Sequence, residues 1–165
     1  MSLVPLTIRP ADAADQAFFA ELYRSTRPDL LALVADPRYI GALVAMQQQM
    51  QVAGYRASYP DARYQVLERD GKPAGRLVTA VVEGVVRVVD IAVIPWVRGR
   101  GVAGETLRRV QREAAREGRD VTLAVRADNA GARRLYAALG FVASDADADA
   151  ATLQLRWRAR PDSAA

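Results

Sequence analysis

The sequence has no cysteine and no histidine. The first absence removes disulfides, thiolate nucleophiles and cysteine-ligated zinc. It fits a reducing compartment, and a cytoplasmic location is expected. The second absence removes imidazole general bases, Ser-His-Asp triads and the paired histidines of zinc proteases, so no metal site is expected. Lysine occurs once, as Lys72. Side-chain proton transfer therefore rests on Asp, Glu, Tyr, that lysine, a terminus or water. No apolar run reaches the roughly 18 residues of a membrane span, and the first residues lack a signal-peptide core.

What is present is a chain of 165 residues, 51% hydrophobic. That favours a single packed domain, expected over residues 1–160, with a frayed tail at 161–165. The net charge is +4, carried almost wholly by arginine. A basic balance suits a nucleic acid or a phosphate-rich cofactor. These arginines are scattered, with no basic tail and no stripe of stacking aromatics, so nucleic acid is not an expected partner.

The patterning predicts an α/β fold. A strand is expected at 4–11, a helix at 11–26, a short helix or loop at 27–37, and a long helix at 38–62 that carries almost no charge. Three strands follow within 62–95, separated by Asp70-Gly71 and Glu83-Gly84 turns. The third strand, 86–94, is nearly all apolar and is expected to be central and covered on both faces. A helix at 101–118 follows, with Val102, Thr106, Leu107 and Val110 as its packing side. Then come a buried strand at 121–127, a helix at 129–140 closed by Gly140, and a last strand at 152–159. The acidic run at 145–151 lacks the glycine and terminal glutamate of a calcium-binding EF-hand loop.

Residues 98–109 read RGRGVAGETLRR and sit between the apolar strand and the helix. The first amides of a helix have no internal partner and carry partial positive charge. Small residues at Gly99, Gly101 and Ala103 let a bulky anion approach the main chain. Arg98 and Arg100 are positioned to add charge-assisted bonds. A Walker loop is excluded, because no Gly-Lys-Ser/Thr occurs. GRGVAG at 99–104 fits the spacing of a dinucleotide fingerprint. However, three antiparallel-looking strands precede it, where a Rossmann unit has one.

The segments VVDIAVIPWVRGRGVAGETLRRVQREA and VTLAVRADNAGARRLYAALGF together resemble the GCN5-related N-acetyltransferase superfamily. Its Q/R-x-x-G-x-G/A signature is met by Arg98, Gly101 and Ala103, and the strand ending in proline, the asparagine and RRLYAALGF follow in order. The resemblance implies a central mixed sheet of about six to seven strands, with helices on both faces. It also implies a pair of parallel strands, 86–94 and 121–127, that splay apart around acetyl-CoA. The acceptor it implies is an amine on a small molecule, peptide or protein. The pantetheine arm would bond to Ile91, Ala92 and Val93, and the pyrophosphate to the amides of Arg98, Gly99, Arg100, Gly101, Val102 and Ala103. Asn129 and Arg133 would lie on the cofactor side.

Within that frame the Val93 amide is the expected oxyanion donor, and Tyr136 the expected general acid at the CoA sulfur. Asp90, a carboxylate in an apolar strand, and Glu83 at the neighbouring turn compete with a water relay as general base. Acceptor-binding candidates are Glu21, Tyr23, Arg24 and Arg27, together with Gln47 and Gln51 one helical turn apart. Those two glutamines equally fit a homodimer contact or a solvated helix face. A CoA-binding protein without catalysis and an RG-type nucleic-acid module are the alternatives of a different class.

Overall fold

The computed structural model describes residues 5–32, 36–144 and 150–160. The acidic run at 145–149 and the tail at 161–165 lie outside the described residues. The elements are β1 (Thr7–Pro10), α1 (Gln16–Ser25), α2 (Pro28–Leu31), α3 (Pro37–Ser58), β2 (Arg63–Arg69), β3 (Lys72–Val82), β4 (Val85–Val93), α4 (Val102–Arg116), β5 (Val121–Arg126), α5 (Ala130–Ala138), β6 (Val142–Ala143) and β7 (Thr152–Trp157). Among the described residues seven strands form one mixed sheet in the order β1-β2-β3-β4-β5-β7-β6, flanked by helices. The expected fold class is therefore borne out. By internal contacts the chain divides into two compact units. One holds Met1–Leu77 with Ile91–Val102, the other Val78–Asp90 with Ala103–Ala165. No helix among the described residues is long and apolar enough to cross a membrane.

In the first unit, β1 runs antiparallel to β2, from Thr7↔Glu68 to Pro10↔Gln65. The Asp12 side chain accepts from the Ala14 amide and starts the chain toward α1. Beside it the buried Asp15 carboxylate takes two bonds from Arg9, at 2.9 and 2.7 Å. That Arg9 guanidinium holds the Asp15 carboxyl down at about 2. Tyr23 of α1 and Val44 of α3 form a small core, with Ile40 and Leu43 packed on it. Helix α3 starts on an Asp36 cap with Pro37 in its first turn. It stops at Ser58, earlier than expected, because Tyr59 precedes Pro60 and leaves the helical region (φ −135°, ψ 73°).

The packing side of α4 is the one expected. Val102, Thr106, Leu107 and Val110 are all buried. Gln111 lies on the same face and donates to the Leu139 carbonyl at 2.9 Å. Sheet pairing here is uneven. β5 is antiparallel to β7 over six rungs, Val121↔Trp157 to Arg126↔Thr152. Its other edge is parallel to β4 over three, Val86↔Val121 to Val88↔Leu123.

Two burial expectations are corrected by this geometry. In β4 only Val88 is fully buried, and the other eight residues are half-buried. β5 alternates buried with half-buried or exposed residues and is not covered on both faces. An apolar run signals affinity for a dry neighbour, but it does not say that the neighbour belongs to the same chain. The two-residue β6 at the sheet edge is a seventh strand that periodicity alone missed, being too short to show a pattern.

Candidate active site

Strand β4 offers its two edges differently. The Ile94 amide donates to the Ala74 carbonyl at 2.8 Å, toward β3. Successive residues of an extended strand turn their amides to opposite edges. The Val93 amide is thus directed to the edge away from β3. The Val93 carbonyl agrees, because it accepts from Arg98 Nε at 3.0 Å. Arg98 therefore ties the turn back to the strand end, a link the sequence did not reveal.

The turn after β4 begins with a short 3-10 segment, Pro95–Val97. Arg98 (φ −64°, ψ 146°) and Gly99 (φ 79°) then form a type II turn closed by the Arg100 amide on the Val97 carbonyl at 3.3 Å. Gly101 is also left-handed, at φ 79°. Both positions demand glycine for conformational reasons, and a Cβ built on either meets nothing within 4 Å. The Arg98 and Arg100 amides are used by the turn, whereas those of Gly99 and Gly101 are not among its bonds. The segment 94–104 contains no carboxylate and two arginines. An open, left-handed glycine turn running straight into a 15-residue helix fits a diphosphate.

In the second unit, Tyr136 of α5 is buried, at 9% exposure, and its ring meets Phe141 edge-on at 6.0 Å and 63°. Burial pushes its phenol above the ordinary value of 10.0, and the negative charge of Asp90 adds to the effect. The hydroxyl thus stays protonated across the neutral range. Asp90 is half-buried on β4. Glu83 sits instead at the exposed tip of the β3–β4 turn, left-handed at φ 51° and followed by Gly84 at φ 80°. Asn129 is the N-cap of α5, its Oδ1 accepting from the Ala132 amide at 3.1 Å. Arg133 donates to the Ala127 carbonyl at 2.9 Å, so both are occupied in shaping the β5–α5 loop.

The acceptor candidates lie in the first unit and are brought partly together. Arg27 donates to Asp29 at 3.1 and 3.0 Å, to the Tyr23 hydroxyl at 3.0 Å and to Gln47. Gln51 accepts from Arg76 at 3.3 Å. The two glutamines are thus held by arginines and are not a solvated face. Glu21 and Arg24 are exposed on α1 and take no part in this cluster.

Arg76 was missed by sequence reasoning. It is 4% exposed on β3, with its guanidinium 5.5 Å from the Phe19 ring centre. A charge in the middle of an apolar strand was the signal, the same one that drew attention to Asp90. Gly75 beside it is also required, since a Cβ there would stand 2.3 Å from the Ala92 carbonyl oxygen.

Residues 18–141 match the acetyltransferase (GNAT) family model, and the chain belongs to that family. Three solved structures share its fold. PaiA N-acetyltransferase from Thermoplasma acidophilum, in complex with coenzyme A, is 14% identical over 93% of this chain and 99% of its own, with a TM-score of 0.69. A ribosomal-protein alanine N-acetyltransferase from Escherichia coli is 20% identical over 94% of both chains, at 0.64. YncA from Salmonella typhimurium, a putative acetyltransferase with acetyl-CoA, is 20% identical over 94% of this chain and 95% of its own, at 0.59. No curated protein sequence matches. Acetyl-CoA as cosubstrate agrees with this membership and with the contents of the first and third structures.

Proposed function

We propose that this protein is an N-acetyltransferase that moves the acetyl group of acetyl-CoA directly to an amine, with both substrates bound together. The family match over 18–141 carries the reading. The glycine turn at 98–101 is its strongest support within the chain. Acetyl-CoA supplies an activated thioester.

The chain's own residues do the rest. The amides of Gly99 and Gly101 and of the first turn of α4, Val102 and Ala103 among them, hold the diphosphate, and Arg98 and Arg100 add positive charge. The free edge of β4 at Ile91 and Val93 hydrogen-bonds the pantetheine arm, while Ala92 between them turns its main chain to β3. The Val93 N–H donates to the acetyl carbonyl oxygen as negative charge builds there. Tyr136 gives its hydroxyl proton to the departing sulfur, and its protonated state at neutral pH supports that role. The amine loses its proton to water relayed toward Asp90. We assign Asp90 over Glu83 because Asp90 lies in electrostatic range of Tyr136, whereas Glu83 is at an exposed turn. Asn129 and Arg133 set the loop that presents α5.

The acceptor is an amine on a small molecule, peptide or protein. A protein amine is supported by the ribosomal-protein enzyme among the fold's neighbours. Glu21 and Arg24 are exposed on the acceptor side. Tyr23, Arg27, Gln47 and Gln51 give that side its shape. A cytoplasmic location accords with the absence of cysteine.

The test is an acetyl-CoA turnover screen against amines and peptide N-termini, reading the released thiol. Turnover on at least one amine, abolished in Gly101→Glu, is the expected result. CoA binding without turnover on any amine would point instead to a sensor or scaffold.

A further inference from the structure

Helix α3 divides its four glutamines between two places. Gln47 and Gln51 are held by Arg27 and Arg76. Gln48 and Gln49 instead line a cavity of about 800 Å³ in the first unit. The α1–α3 core of Tyr23, Val44, Ile40 and Leu43 lies at the end of α1 and the start of α3. The cavity opens at the opposite ends, between residues 11–19 and 45–56, over Tyr64 of β2 and Arg76 of β3. Ala45 and Ala53 border it, and their short side chains leave the space unfilled. None of the residues assigned above to acetyl transfer or to the acceptor side lines it.

Its lining carries charge of both signs. Arg76 is 4% exposed, and a guanidinium at that depth calls for acceptor groups around it. Its Nη2 donates to Gln51 and its plane lies near the Phe19 ring, but a guanidinium has five N–H donors to share. Tyr64 is half-buried, and its hydroxyl is enclosed yet takes no hydrogen bond among the described residues. Native structures seldom leave such a group unmatched, so it marks a place for a partner that the chain itself does not supply. At the rim, Asp12 and Arg56 are exposed, and neither belongs to an ion pair among the described residues. Asp12 spends one oxygen on the Ala14 amide, which leaves the other.

We propose that this cavity binds a small zwitterion of amino-acid or dipeptide size. Its carboxylate meets the Arg76 guanidinium and the Tyr64 hydroxyl, with Arg56 adding positive charge. Its ammonium group meets the Asp12 carboxylate at the rim. Gln48 and Gln49 serve the remaining polar groups, and Phe19 and Val52 supply an apolar wall. A simple anion would be repelled by Asp12, and a simple amine by two arginines, so a molecule bearing both charges fits best. The volume lies within the range of small-molecule sites.

The test is binding measured by thermal shift and calorimetry without acetyl-CoA. The probes are the free amino acids and a set of dipeptides, each beside its C-terminal amide and its N-acetyl form. At least one free form is expected to bind by millimolar concentration, and both of its blocked forms about tenfold more weakly or worse. Tyr64→Phe should weaken the free form by about tenfold. The unliganded variant should melt at the same temperature as wild type or higher, because no internal hydrogen bond is lost. Asp12→Asn keeps the cap on the Ala14 amide. It should weaken the free form and leave the N-acetyl form unchanged. No binding by any probe up to millimolar concentration would overturn the proposal, as would equal binding of free and blocked forms. So would unchanged affinity, or a lowered melting temperature, in Tyr64→Phe. With no acetyl donor present, these outcomes are independent of whether the acetyl-transfer reading holds.

Discussion

The two edges of β5 make a natural comparison. Toward β7 it is paired along its whole length, from Val121↔Trp157 to Arg126↔Thr152. Toward β4 the pairing ends at Val88↔Leu123. The same six residues thus build a closed ladder on one side and half a ladder on the other. Main-chain groups seldom go unsatisfied when buried. A strand edge released in the middle of a sheet is therefore a place for a ligand's own amides. On the proposed function, the paired regions serve stability and the released stretch, with the turn and helix that follow, serves chemistry. Substitutions in the two regions should separate accordingly.

The largest effect is expected at the turn following the released end of β4. Gly101→Glu adds bulk, a like charge and strain at φ 79°. It should weaken CoA binding by more than about a hundredfold, roughly 2.7 kcal/mol, measured by calorimetry on folded protein. Unchanged affinity would remove the diphosphate cradle. The milder Gly101→Ala separates strain from charge, since nothing lies within 4 Å of its Cβ.

Next comes Tyr136→Phe, which keeps the contact with Phe141 and removes the proton donor. Loss of a general acid should lower kcat by about 10²- to 10³-fold with little change in CoA affinity. The sign of the pH dependence follows from the raised phenol. The protonated form is the active one, so wild-type turnover that depends on it persists through neutral pH and falls only above the ordinary 10.0. Equal rates in the two proteins would take the acid role from Tyr136.

On the paired side, Leu123→Ala should behave oppositely. Leu123 is 2% exposed, and truncating a buried leucine costs about 2–5 kcal/mol through lost burial and the cavity left behind. Urea unfolding should show that loss, while turnover per folded molecule changes little. A catalytic defect without a stability loss would blur the division between the two edges.

The smallest effect is expected at Asp15, far along the chain from the catalytic candidates. Its folded value of about 2 lies below the reference 3.8. The ionised form is therefore favoured by folding. The stability it contributes is present above about pH 4 and is lost as pH falls toward 2. Asp15→Asn should destabilise by about 1–2 kcal/mol at pH 7, a figure kept low because Arg9 is 35% exposed. The gap from wild type should close in acid. A gap that stays constant between pH 7 and pH 2 would show that the pair contributes through packing alone.

Much of the fold was legible because it rests on local rules. The packing side of α4 followed from a 3.6-residue period. The Asp70-Gly71 and Glu83-Gly84 turns announced themselves by residue type, and both pairs adopt positive φ. Gly140 closes α5 as its type suggested, at φ 93°. The glycine turn at 98–101 was also readable, since left-handed backbone and open approach both ask for the same residue. Several contacts that the sequence did not show have a partner distant in sequence. Arg76 finds Phe19 and Gln51. Arg27 gathers Gln47 with Asp29. Each such contact depends on where folding brings the partner, so no period or motif encodes it.

The linear order of residues thus settled most of the elements, that the chain has no thiol or imidazole, and that a left-handed glycine turn precedes helix α4, because each of these depends on neighbours in the chain. Folding alone settled where β4 parts from β5, that Tyr136 is buried within range of Asp90, and that the glutamines of α3 are held by arginines. Those outcomes depend on burial and on groups tens of residues apart, whose distances exist only once the sheet has formed.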